Sequence, residues 1–199
     1  MRPYKYKFRR AFVEMINSVK PYKNVLDVAC ANAKFRAFFG ETDYTGIDLS
    51  EETLSSKTAM DNLNKFENTK LFAGDLSKPE GLAIDDKFDL VVSTHTIAHI
   101  KSVDEKKIAA HNLINSINNK GHLIIQLKNN CLKEIKPILD SDLILIKHVR
   151  YKGILSNILE KKFLEGSHLF FLGKIIGIIF SYIDFGRSTE NLLLYIKKK

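Results

Sequence analysis

The sequence predicts an α/β fold: a doubly wound, mostly parallel sheet with helices on both faces. Two observations carry that expectation. Apolar strand-like runs alternate with helix-like stretches, an order that builds a parallel sheet buried on both sides. In addition, residues 24–48 (NVLDVACANAKFRAFFGETDYTGID) read as a strand, a run of small residues, a short helix-like piece and a second strand ending on an acid. That is the first half of a nucleotide-binding βαβ unit, whose acid lies about 20 residues on. Asp48 lies 21 residues after Asp27.

The elements follow in order. Residues 4–19 carry Phe8, Phe12, Met15, Ile16 and Val19 at helical spacing, which predicts a helix ahead of the first strand. Strands are expected at 25–29 and 43–47, then one helix over 51–66 capped by Ser50, whose hydroxyl can accept from a free first-turn amide. Further strands are expected at 70–73 and 88–93, a helix at 104–117 and a strand at 122–127. Beyond residue 128 the pattern loosens to a short helix at 132–139 and strand candidates at 143–149 and 192–196.

Composition bounds the rest. A chain of 199 residues with 45% hydrophobic and 27% charged residues suits one globular domain and excludes a disordered or fibrous class. MRPYKYKFRR at the start is basic and aromatic without the apolar run of a signal peptide. Cys30 and Cys131 are too few for a disulfide framework, so a reduced, cytoplasmic compartment is expected. The net charge of +8 favours anionic partners without choosing among them. No His, Cys or Asp cluster has metal-site spacing, so no metal is expected.

Residues 24–48 resemble motifs I and II of class I S-adenosylmethionine-dependent methyltransferases. Motif I of that family runs acid-x-Gly-x-Gly-x-Gly; here Ala29, Ala31 and Ala33 follow Asp27 at the glycine positions. LFAGDLSKP (71–79) resembles the third strand, FDLVVSTHTIAHI (88–100) the fourth strand with its loop, and NNKGHLIIQL (118–127) the turn into the fifth. The likeness covers roughly residues 20–128. It implies a Rossmann-like sheet closing on an antiparallel last strand, S-adenosyl-L-methionine as cofactor, and a small-molecule methyl acceptor. A single domain is expected: a cofactor-binding core at 1–149, a helical insertion or lid at 150–191, and a final strand at 192–197. Within the insertion, the apolar run from Leu169 to Phe185 reads as a buried or lid helix. A peripheral membrane contact or a homodimer face is the alternative.

Site roles follow from the resemblance. Asp27 would anchor the turn or the ligand's amino group, and Ala29, Cys30, Ala31 and Asn32 would form the turn. Asp48, with Leu49, would accept the ribose hydroxyls; Asp75 would take the adenine amine, with Leu76 packing the ring. Ser93 and Thr94 would meet the cofactor at the end of the fourth strand. His95 is the candidate base, and His99, one helical turn on, the second catalytic candidate. Glycine serves such turns because it accepts positive φ and lets backbone approach a ligand. With alanines, only one or two positions are expected to need that geometry, Asn32 taking up part of the turn.

Three functional readings stand. The first is an enzyme methylating an O or N atom of a small metabolite, a sugar or polysaccharide precursor being the acceptor class suggested. The second is a methyltransferase-like scaffold that has lost catalysis. The third, an RNA methyltransferase, draws on the basic charge and on MRPYKYKFRR, whose cations and rings could pair phosphates and stack bases; nucleic acid is the less favoured partner.

Overall fold

The computed structural model describes residues 3–82, 84–151 and 189–198. A seven-stranded sheet forms the centre, in the order β3-β2-β1-β4-β5-β7-β6. β1 (Asn24–Val28), β2 (Asp43–Asp48), β3 (Thr69–Ala73), β4 (Phe88–Ser93) and β5 (Ile117–Lys128) pair in parallel. β7 (Glu190–Lys197) runs antiparallel between β5 and β6 (Leu143–Tyr151). The expected fold class is therefore found, antiparallel last strand included.

Alternation along the strands assigns the two faces of the sheet. Leu90 and Val92 of β4 face α1 (Pro3–Ser18), where Phe8, Phe12, Met15 and Ile16 are all buried. Val91, between them, faces the opposite cluster, built with α4 (Val103–Asn115) and α5 (Asn129–Asp142). Each of these fully buried side chains contributes about 1.5–3 kcal/mol of hydrophobic stabilisation. α1 also braces the site: Phe12 packs on Phe35, just past the alanine turn, with ring centroids 5.0 Å apart, and Phe8 stands 6.2 Å from the His95 ring.

Several boundaries differ from expectation, each for a local reason. The single helix expected over 51–66 is two, α2 (Glu51–Leu54) and α3 (Lys57–Leu63). Ser50 caps the first, accepting from the Thr53 amide; Ser56 caps a second start, accepting from Ala59, and the chain breaks between them. Between β1 and β2 there is only a single 3₁₀ turn, Arg36–Phe38. α4 ends at Asn115, because Ile117 already pairs with Phe88 in the sheet. The strand bounds differ from the expected 150–191 and 192–197 segments: Arg150 and Tyr151 belong to β6, paired with Asn191 and Glu190 of β7. The run from Leu169 to Phe185 lies outside the described residues. Among those described, no helix is long and apolar enough to cross a membrane.

Candidate functional site

The carboxyl ends of β1, β2 and β4 and the segment after β3 surround a cleft of about 410 Å³, where ligands of open α/β sheets bind. Val28 and Ala29 enter it from β1, Asp48 and Leu49 from β2, Asp75 and Leu76 from beyond β3, and His95, Thr96 and His99 from beyond β4.

The turn after β1 departs from expectation. All three alanines take left-handed backbone, with φ of 60° at Ala29, 51° at Ala31 and 55° at Ala33, whereas Asn32 does not. The alanines thus occupy the positions and the conformation that glycine would fill. Left-handed geometry costs a residue bearing Cβ about 1–2 kcal/mol, so the turn stores on the order of 3–6 kcal/mol. Surrounding bonds hold it in place. The Ala31 amide donates to Asp48 Oδ2 at 2.9 Å, the Cys30 amide to the Ile47 carbonyl at 3.0 Å, and Asn62 Nδ2 to the Asn32 carbonyl at 2.8 Å. Cys30 contributes backbone only: its side chain is buried towards Gly46, and burial pushes its thiol pKa up.

The acids divide their work. Asp48 accepts from Ala31 through Oδ2 and from the Ser50 amide, at 3.1 Å, through Oδ1. A carboxylate has roughly four lone-pair sites, so both oxygens retain capacity for a diol in the cleft they line. Asp75 Oδ1 accepts from the Ser77 hydroxyl at 2.6 Å and the Ser77 amide at 2.9 Å, and these bonds hold its pKa below the ordinary carboxylate value. Leu49 is 73% exposed whereas Leu76 is buried in the core, so of the cleft's two apolar walls one is open to solvent and one is packed.

Asp27 lies behind the cleft wall and is 1% exposed. Tyr44 OH donates to its Oδ2 at 2.8 Å, while Oδ1 is buried without a hydrogen bond. Burial raises its pKa from the ordinary 3.8 to about 7, against the opposing pull of the Tyr44 bond. A buried, half-satisfied carboxylate suits a ligand ammonium.

At the end of β4 the expected residues separate. Ser93 and Thr94 are buried and absent from the described cleft lining; the Ser93 hydroxyl donates to Thr96 Oγ1 at 3.1 Å, and it is Thr96 that reaches the cleft. His95 and His99 both line the cleft. His95 is left-handed (φ 63°), a strained backbone of the kind that collects at functional sites. Sequence reasoning missed its neighbours: Gln126 Nε2 lies 3.1 Å from His95 Nδ1 and donates to Glu190 at 2.6 Å. Nothing in their local sequence marks Gln126 or Glu190. Phe8, one of the rings available for base stacking, is buried in the core instead. No group of His, Cys, Asp and Glu among the described residues is arranged to hold a metal.

Comparisons with known proteins agree with this geometry. A family model described as a methyltransferase domain matches residues 20–164. The N-methyltransferase NodS from Bradyrhizobium japonicum WM9, solved with S-adenosyl-L-homocysteine, superposes with a TM-score of 0.72 at 14% identity, over 100% of this chain and 89% of its own. An S-adenosylmethionine-dependent methyltransferase from Clostridium acetobutylicum ATCC 824 superposes with a TM-score of 0.66 at 12% identity, over 94% of this chain and 89% of its own. At such identities the likeness is one of fold. No curated protein matches the chain.

Proposed function

The chain belongs to the methyltransferase-domain family, and from that premise we propose that it binds S-adenosyl-L-methionine in the cleft and methylates a nitrogen or oxygen of a small molecule. The sulfonium cofactor supplies an activated methyl group, and the chain supplies alignment and exclusion of water. Asp48 would hold the ribose diol, Asp75 and Leu76 the adenine, and Asp27 the ammonium. His95 and His99 would face the acceptor. Cys30 and Cys131 are both buried and unpaired, in keeping with the reducing cytoplasm where we place the reaction.

One observation carries the reading: the alanine turn keeps a costly left-handed path that is bonded to the same carboxylate, Asp48, that lines the cleft. Such strain persists where a ligand site requires it. It also favours an enzyme over a scaffold, which would gain by relaxing the turn.

Calorimetric titration with S-adenosylmethionine tests the proposal. The wild type should bind, and Asp48→Asn, which keeps one acceptor oxygen for the turn, should bind about tenfold more weakly, roughly 1.4 kcal/mol. Asp75→Ala should weaken binding while leaving the fold intact. No heat of binding at millimolar ligand from a folded wild type would end the methyl-transfer reading.

A further inference from the structure

Gln126, Glu190 and Tyr151 converge behind His95 where β5, β7 and β6 meet. Glu190 pairs with Lys128 across the antiparallel ladder, so Gln126, two residues before Lys128, shares its face. Gln126 Nε2 donates to Glu190 Oε2 at 2.6 Å, and Tyr151 OH donates to that same oxygen at 3.1 Å. All three side chains are buried. With two donors converging on it, Glu190 Oε2 is an acceptor in this cluster.

The carboxylate dictates the orientation of the Gln126 amide. Turned over, the amide would set its oxygen against Glu190 Oε2. As found, Gln126 Oε1 is buried with no hydrogen bond, a cost offset by the short 2.6 Å bond from its Nε2 to Glu190. The second amide hydrogen is then directed at His95 Nδ1, 3.1 Å away. A nitrogen that accepts carries no proton, so the single proton of the neutral ring resides on Nε2.

We infer that Gln126 and Glu190 are positioning residues that hold neutral His95 as its Nε2–H tautomer, and that His95 is therefore not the base that takes the acceptor's proton. The ring gains a second proton only by displacing the Gln126 hydrogen bond at Nδ1. His95 therefore offers an attacking nucleophile no base, and His99, which also lines the cleft, is the candidate left for a proton that must leave during attack. A neutral amine needs no base at all: its lone pair forms the N–C bond while the electrons of the C–S bond return to sulfur, and the ammonium formed releases its proton to water. An alcohol oxygen must lose its proton as it attacks. The inference rests on the methyl-transfer reading for its chemical meaning, but the tautomer itself does not.

Long-range 1H–15N spectra of the full chain labelled at histidine distinguish the two tautomers, and His95→Gln identifies the His95 signals by their loss. The wild type near neutral pH should show the Nε2–H form alone. Gln126→Met should give a mixture, and Glu190→Gln should do so too, because the Gln126 amide is then able to turn. An Nδ1–H form in the wild type overturns the inference, as does an unchanged tautomer in either folded variant. The spectra need no cofactor, so failure of S-adenosylmethionine binding would sink the methyl-transfer reading and leave the tautomer result standing.

Discussion

Replacing the turn alanines by glycine should stabilise the protein at two sites and not at the third. At Ala29 (φ 60°) and Ala31 (φ 51°) the substitution removes the left-handed penalty, about 1–2 kcal/mol each. Against this, glycine widens the unfolded ensemble at a cost of about 0.4–1 kcal/mol. Both alanines are partly exposed, so little packing is lost. The net gain is about 0.5–1 kcal/mol per site, and about 1–2 kcal/mol for the double variant. At roughly 2–4 °C per kcal/mol for a domain of this size, the Tm should rise by about 2–8 °C. Ala33 differs, because it is 1% exposed within the α1-side core. Loss of a buried methyl costs about 0.8 kcal/mol, which cancels the gain. Ala37, exposed in the 3₁₀ turn and not left-handed, is the control: Ala37→Gly should cost about 0.4–1 kcal/mol. Urea titrations with equal m-values would report each change as a shift in midpoint. If Ala29→Gly and Ala31→Gly destabilise as Ala37→Gly does, the turn is not strained, and the argument drawn from its strain fails.

Asp27 has a pKa raised by burial from 3.8 to about 7, so its contribution to apo stability is complete below about pH 4 and is lost as pH rises through about 7. Asp27→Asn should flatten that slope in thermal melts while abolishing most cofactor binding. In the wild type, a ligand ammonium requires the ionised form, so affinity should rise with pH up to about 7 and then level off, by at most about tenfold per unit; an affinity flat from about pH 5.5 to 8 would remove the assigned contact. Gly121→Ala should destabilise by about 1–3 kcal/mol, because a Cβ there would stand 2.8 Å from Ile117 Cγ2 and 2.9 Å from the Phe88 carbonyl oxygen. Gly121 lies at the opposite end of β5 from the cleft, so a folded variant should bind S-adenosylmethionine as the wild type does, which calorimetry will show. Glu134→Ala should cost more than an ordinary surface change, about 1–3 kcal/mol by urea titration, since Lys106, 8% exposed, would lose its 2.7 Å partner between α4 and α5.

What the sequence disclosed depended on how local each signal was. The parallel core was legible because strands buried on both faces read as continuous apolar runs, and β4 appears at residues 88–93 as expected. The cleft-lining acids were legible because Asp48 ends a strand and Asp75 follows one closely, so their placement at the carboxyl edge needed no three-dimensional information. The conformation of the alanine turn was not. Side-chain preference argues against left-handed alanine, and bonds to distant residues, among them Asp48 and Asn62, 17 and 30 residues away, override it. Least legible were the neighbours of His95. Gln126 and Glu190 are 64 residues apart and meet only because β7 enters the sheet antiparallel between β5 and β6. A histidine after β4 therefore reads from sequence as a general base, since that is what an isolated imidazole does well. Whether it acts as one depends on what meets its second nitrogen, and here that partner is the amide of a strand paired from the far end of the chain. Local pattern can locate a titratable side chain, but its protonation state belongs to the tertiary fold.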